Sequence, residues 1–101
     1  MKRVWIINEE GSGIISSWEQ EWGLSRNERT GRWIIYERRS GTDEGRYSVN
    51  TRRGYSDSTE HLVRHGLRGM DLQPEYLLPF IADADEPALR ELAEAIRRRE
   101  T

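Results

Sequence analysis

The stretch Arg32-Trp33-Ile34-Ile35-Tyr36-Glu37-Arg38, followed by Ser40-Gly41-Thr42-Asp43-Glu44-Gly45 and then Arg46-Tyr47-Ser48-Val49-Asn50-Thr51, decides the fold. The first run is rich in aromatic and β-branched residues, which suit a pleated, half-buried surface. The last alternates, with Tyr47 and Val49 on one face and Ser48 and Asn50 on the other. Turn-forming residues join the two, so residues 32–51 are predicted to be a β-hairpin.

Toward the N-terminus, Arg3-Val4-Trp5-Ile6-Ile7 reads as another strand, ended by the turn composition of Glu9-Glu10-Gly11-Ser12-Gly13. Residues 14–22 fit two periods. In a strand, Ile14, Trp18 and Trp22 share a face; in a helix, Trp18 and Trp22 lie one turn apart and Ser16-Ser17-Trp18-Glu19 resembles a capping box. The strand is preferred, because a hairpin with the first strand needs no long connection. Trp5 and Trp33 are expected in the core, and one of Trp18 and Trp22 is expected to stay partly exposed.

Toward the C-terminus the period changes. Asp57 and Glu60 have the spacing of a helix start, and Thr59, Leu62, Val63 and Gly66 form an apolar stripe over 58–68 that Gly66 or Gly69 can end. Pro74 can open a short second helix, which Pro79 limits, with Tyr76, Leu77, Phe80 and Ile81 expected to bury. Asp85-Glu86-Pro87 starts the last helix. Its stripe is Leu89, Leu92, Ala93 and Ile96, a Glu94–Arg98 pair is expected on its surface, and Arg97-Arg98-Arg99 sits at its negative end. The expectation is one α+β domain spanning 1–101: a small antiparallel sheet of three to four strands, N-terminal, packed by two to three C-terminal helices.

Composition narrows the functional classes. Charged residues make up 34% of the 101, but four Trp and four Tyr supply enough large apolar surface for a core. There is no cysteine, which excludes disulfides and thiolate metal sites and points to the cytoplasm. Met1-Lys2-Arg3 is followed by only four apolar residues before Asn8, so no secretory signal is expected, and no run is long enough to span a membrane. Net charge is −2, unevenly spread: residues 26–68 hold ten Arg against six acids, while 69–101 hold four Arg against eight.

The candidate site is on the 58–68 helix. At helical spacing His61, Arg64, His65 and Arg68 form one cationic ridge opposite the apolar stripe, and Arg52 and Arg53 precede it and can extend it. His-x-x-x-His spacing suits a metal, but two flanking guanidiniums repel a divalent cation and no third ligand is near in sequence, so no metal and no cofactor is expected. An anionic partner suits the ridge better, through carboxylate or phosphate. The competing reading is an ordinary solvated face whose arginines pair with local acids such as Asp57 and Glu60.

The residue types of a small ribonuclease are also present: Glu37, Arg46 or Arg52, and His61 or His65. Nothing in the sequence fixes their geometry, and no nucleophile elbow, P-loop or dinucleotide fingerprint accompanies them. Trp18 and Trp22, among Glu19, Gln20 and Glu21, can instead anchor a protein partner. A helix-turn-helix reader is rejected, because Pro74 to Ile81 lacks residues that read base edges.

The expected function is therefore a non-catalytic protein-binding module, an inhibitor or accessory factor of the kind a phage or mobile element encodes. It would bind a protein with an acidic surface through Arg52, Arg53, His61, Arg64, His65 and Arg68, or through Trp18 and Trp22. The alternative is a nucleic-acid-backbone binder or small ribonuclease using the 26–68 basic block. The low net charge favours the first.

Overall fold

A computed structural model describes residues 1–12, 17–43 and 47–100, with the side chains of 12, 42–43, 47–50 and 100 excepted. Four strands, β1 (Val4–Ser12), β2 (Ser17–Arg26), β3 (Trp33–Asp43) and β4 (Tyr47–Asp57), form an antiparallel meander in the order β1-β2-β3-β4. Residues 17–22 are thus strand, as preferred from connection length; Ile14 and Ile15 lie outside the described residues, as does Arg46. Three helical elements follow. The first, α1 (residues 59–69), runs as an α-turn Thr59–His61, a π-turn Leu62–Gly66 and an α-turn Leu67–Gly69. The others are α2 (Pro74–Ile81) and α3 (Pro87–Glu100). This is the α+β architecture expected of the chain.

Strand alternation gives the sheet two faces. Among the described residues, the sheet's five buried apolar side chains, Ile7, Trp22, Leu24, Trp33 and Ile35, lie on one face, where Leu62, Val63, Leu67, Leu77, Ile81, Leu92 and Ile96 of the helices meet them. The indole N–H groups of the two buried tryptophans are satisfied, Trp22 by the Met70 carbonyl at 2.8 Å and Trp33 by Thr59 Oγ1 at 3.0 Å. Large rings therefore enter the core without stranding a donor.

Several expectations need correction. Trp5 is not in the core. The register shifts between Trp5 and Ile7, so Ile7 faces the helices while Trp5, paired with Gly23, faces away. One bulged residue reverses the alternation, and the sequence carries no sign of it. Tyr76 and Phe80 are 44% and 47% exposed. An eight-residue helix turns one stripe inward, here Leu77 and Ile81, leaving the next i, i+4 pair outside in an edge-to-face contact at 5.5 Å.

Smaller corrections concern the helix ends. Ser58, rather than Asp57, caps α1, its hydroxyl accepting from the His61 N–H. Gly66 does not end α1 but is buried inside it, and the left-handed turn after Gly69 is made by Asp71 at φ 59°. α2 runs two residues past Pro79. Glu94 pairs with Arg97. The stripes of α1 and α3 bury as expected, with Leu62, Val63 and Gly66 in the first and Leu89, Leu92, Ala93 and Ile96 in the second.

Candidate functional site

His61, Arg64, His65 and Arg68 do share the exposed side of α1, opposite buried Leu62, Val63, Gly66 and Leu67. The π-turn, closed by the Leu67 N–H on the Leu62 carbonyl, brings the two imidazoles to 5.1 Å between centroids. Among the described residues, His61, Arg64 and Arg68 each have an acidic partner. His61 Nδ1 lies 2.5 Å from Asp57 Oδ2, Arg64 lies 3.3 Å from Glu60, and Arg68 lies 3.5 Å from Glu75 while donating to the Val63 and Arg64 carbonyls.

Asp57 is the buried acid of this group. Burial alone would raise its pKa, but hydrogen bonds from His61, Tyr55 and the Ser58 N–H outweigh it and hold the carboxyl below its ordinary value. As an anion Asp57 only accepts, so His61 Nδ1 carries the proton toward it. Hydrogen bonding to Asp57 in turn raises the Tyr55 phenol. Gly66 makes room for this cluster: a Cβ there would stand 2.8 Å from Asp57 Oδ2 and 3.2 Å from the Tyr55 ring.

Arg52 and Arg53 do not extend the ridge. Arg53 faces the helices and clamps buried Glu37 at 2.7 and 3.0 Å and Asp71 at 2.9 Å, while Gln20 donates to the same Glu37 at 2.9 Å. This network ties the turn after α1 to the centre of the sheet, and the bond to Glu37 raises the Arg53 pKa further. Arg52 sits on the opposite face, directly across from Arg38. Of the residue types of a ribonuclease, Glu37 and Arg52 stand on opposite faces of the sheet, and Arg46 lies outside the described residues.

The ridge is extended instead from the C-terminus. A groove of about 460 Å³ runs between α1 and α3, with Val63 and Ala95 in its floor and Arg64, Arg98, Arg99 and Glu60 around it. Sequence distance hid this pairing: the Arg97-Arg98-Arg99 run reads as a helix-dipole feature until α3 is laid beside α1.

The remaining candidates are split between core and surface. Trp22 is buried, so its ring is spent on packing and not presented for docking. Trp18 is 40% exposed at the far end of β2, between Gly11 and Gly41, and a Cβ on Gly11 would strike its indole at 2.5 Å. Among the described residues, no group of three His, Cys, Asp or Glu is placed to hold a metal ion. Nor is any described helix long and apolar enough to cross a membrane.

A second cluster, missed from sequence, lies on the outer face of the sheet. Trp5 and Tyr36 stand 6.4 Å apart, with the Arg3 guanidinium 3.8 Å from the Tyr36 ring and that of Arg38 4.1 Å from Trp5. Hydrogen bonding with Ser25, then with Arg3, pulls the Tyr36 phenol below its usual value. Compared with protein-family models, curated proteins and solved structures, the chain matches none, so its functional reading rests on these surfaces alone.

Proposed function

We propose that this chain is a non-catalytic protein-binding module, an inhibitor or accessory factor of the kind a phage or mobile element carries, acting in the cytoplasm. Its partner presents an acidic surface to the cationic face made by α1 and the end of α3. The groove in which Arg64, Arg98 and Arg99 surround a Val63/Ala95 floor carries this reading. An apolar strip rimmed by guanidiniums suits a partner segment that buries a small side chain between carboxylates. His61, His65 and Arg68 continue the same exposed side of α1.

The test is affinity capture from source-cell lysate with nuclease present, using the native chain and the Arg64→Glu, Arg99→Glu double variant. A stoichiometric protein that is retained by the native chain, released by salt and lost in the double variant supports the proposal. Equal retention by both chains moves the interface elsewhere. Arg68 is left intact because it donates to α1 carbonyls, so its replacement confounds stability with binding.

A further inference from the structure

The exposed side of α1 brings together the parts of a metal site. His61 and His65 are four residues apart, and the π-turn that contains His65 sets their ring centroids 5.1 Å apart with the planes tilted by 58°. Two imidazoles that each bind one tetrahedral ion through a ring nitrogen at about 2.0–2.1 Å have centroids about 5 Å apart. The observed spacing is therefore that of a chelating pair.

One ring is already oriented as a ligand. Buried Asp57 accepts from His61 Nδ1 at 2.5 Å, which leaves the lone pair of Nε2 directed away from that carboxylate on a ring that is 51% exposed. Metal-binding histidines nearly always donate their other N–H to a carboxylate or carbonyl, which fixes the ring and makes the ligating nitrogen more basic. Tyr55 bonds to the same carboxylate, and the missing side chain of Gly66 leaves space for it.

The repulsion expected from the flanking guanidiniums is offset locally. Arg64 is drawn to Glu60 at 3.3 Å, and Arg68 to Glu75 at 3.5 Å and to two α1 carbonyls. With Asp57, the group sets three carboxylates against two guanidiniums, a net charge of −1 when both imidazoles are neutral, as ligands must be. Imidazole donors favour Zn²⁺ or Cu²⁺ over Mg²⁺ and Ca²⁺, which take oxygen ligands. No third His, Cys, Asp or Glu among the described residues joins the pair, so water completes the coordination shell.

We propose that His61 and His65 together bind one divalent ion of the zinc class, His61 through Nε2, with Asp57 as the positioning residue behind it. The site lies on the ridge assigned to the acidic partner but does not rest on that reading, because the ion is bound by this chain alone. Loss of the protein partner in the Arg64→Glu, Arg99→Glu variant and loss of zinc in a histidine variant are separate results.

The experiment is calorimetric titration of zinc chloride into the full chain, without an affinity tag and at neutral pH, with thermal melts alongside. Saturable binding of one ion per chain is expected, with a melting temperature that rises with zinc, since the ion binds the folded ridge. His65→Ala, at an exposed position, should lose both effects and melt like the native chain without zinc. Asp57→Asn should weaken binding about 10- to 100-fold.

Should Asp57→Asn fail to fold, electron paramagnetic resonance of the native chain loaded with Cu²⁺ keeps the site testable: coupling to two imidazoles is expected, falling to one in His65→Ala. The absence of saturable zinc binding overturns the proposal. So does equal binding by His65→Ala, or displacement of zinc by equimolar Mg²⁺, which would place the ion on carboxylates. Unchanged affinity in a folded Asp57→Asn overturns the part assigned to Asp57.

Discussion

The two faces of the sheet are built by the same four strands from similar residue types, yet they use them differently. On the inner face, tryptophan and arginine are fixed: Trp22 and Trp33 are buried with their N–H groups bonded, and Arg53 is locked to Glu37 and Asp71. On the outer face, Trp5, Tyr36, Arg38 and Arg52 line an open groove. Residue type therefore does not decide which side chains are fixed and which stay open here; the covering helices do. The cost of removing a side chain should follow the face it occupies.

The sharpest test of that difference replaces one tryptophan on each face. Trp33→Ala is expected to cost about 3–5 kcal/mol of unfolding free energy, measured by denaturant titration, because it opens a cavity under the helices. Trp5→Ala, whose ring is only partly buried and lies outside the core, should cost less, about 1–2 kcal/mol. Similar losses at both positions would mean that the outer face is as structural as the inner one.

Adjacent arginines extend the comparison. Arg53→Ala leaves Glu37 buried without its guanidinium and should cost about 2 kcal/mol, less than a fully buried pair because Arg53 is partly in water. Arg52→Ala should change stability by no more than about 0.5 kcal/mol. Near α1, Gly66→Ala should cost about 1–2 kcal/mol, since its Cβ meets Asp57 and Tyr55. Thermal melts of the three variants give the ranking.

The Asp57 cluster also predicts an acid limb. Its folded pKa is below the unfolded value, so its stabilisation is full above the unfolded carboxylate range near about 3.9 and is lost as pH falls through the folded value. Unfolding free energies from pH 6 to pH 2 should therefore fall more steeply in the native chain than in Asp57→Asn. Parallel curves would place the acid sensitivity in other carboxylates. The smallest effect is expected at Trp18. Trp18→Phe should leave stability within about 0.5 kcal/mol while removing much of the quencher-accessible tryptophan fluorescence.

Much of this was legible in the sequence because it is periodic. The strand character of 33–38 and 47–51, the stripe Leu89, Leu92, Ala93, Ile96 and the ridge His61, Arg64, His65, Arg68 all follow from strand or helix geometry acting on nearby residues. The candidate surfaces were only half visible. Arg64 was found, but Arg98 and Arg99 lie more than thirty residues further along, and periodicity is silent about such pairings. The outer groove was missed because Trp5 was assigned to the core.

By itself, then, the sequence determined the order and type of the elements and the stripes that the first and last helices bury, since these depend on spacing and side-chain size within a few residues. It did not place the strand ends: β1 and β3 run on through residues 9–12 and 40–43, where composition had marked turns. Only the tertiary structure decided which face of the sheet the helices cover. That choice turned Arg53 inward and Arg52 outward, placed Arg98 and Arg99 beside Arg64, and, through a single bulge in β1, moved Trp5 from the expected core to the open face. The physical reason is that a strand presents both faces equally, and the long-range burial of Ile7, Trp22, Leu24, Trp33 and Ile35 against the helices selects one of them.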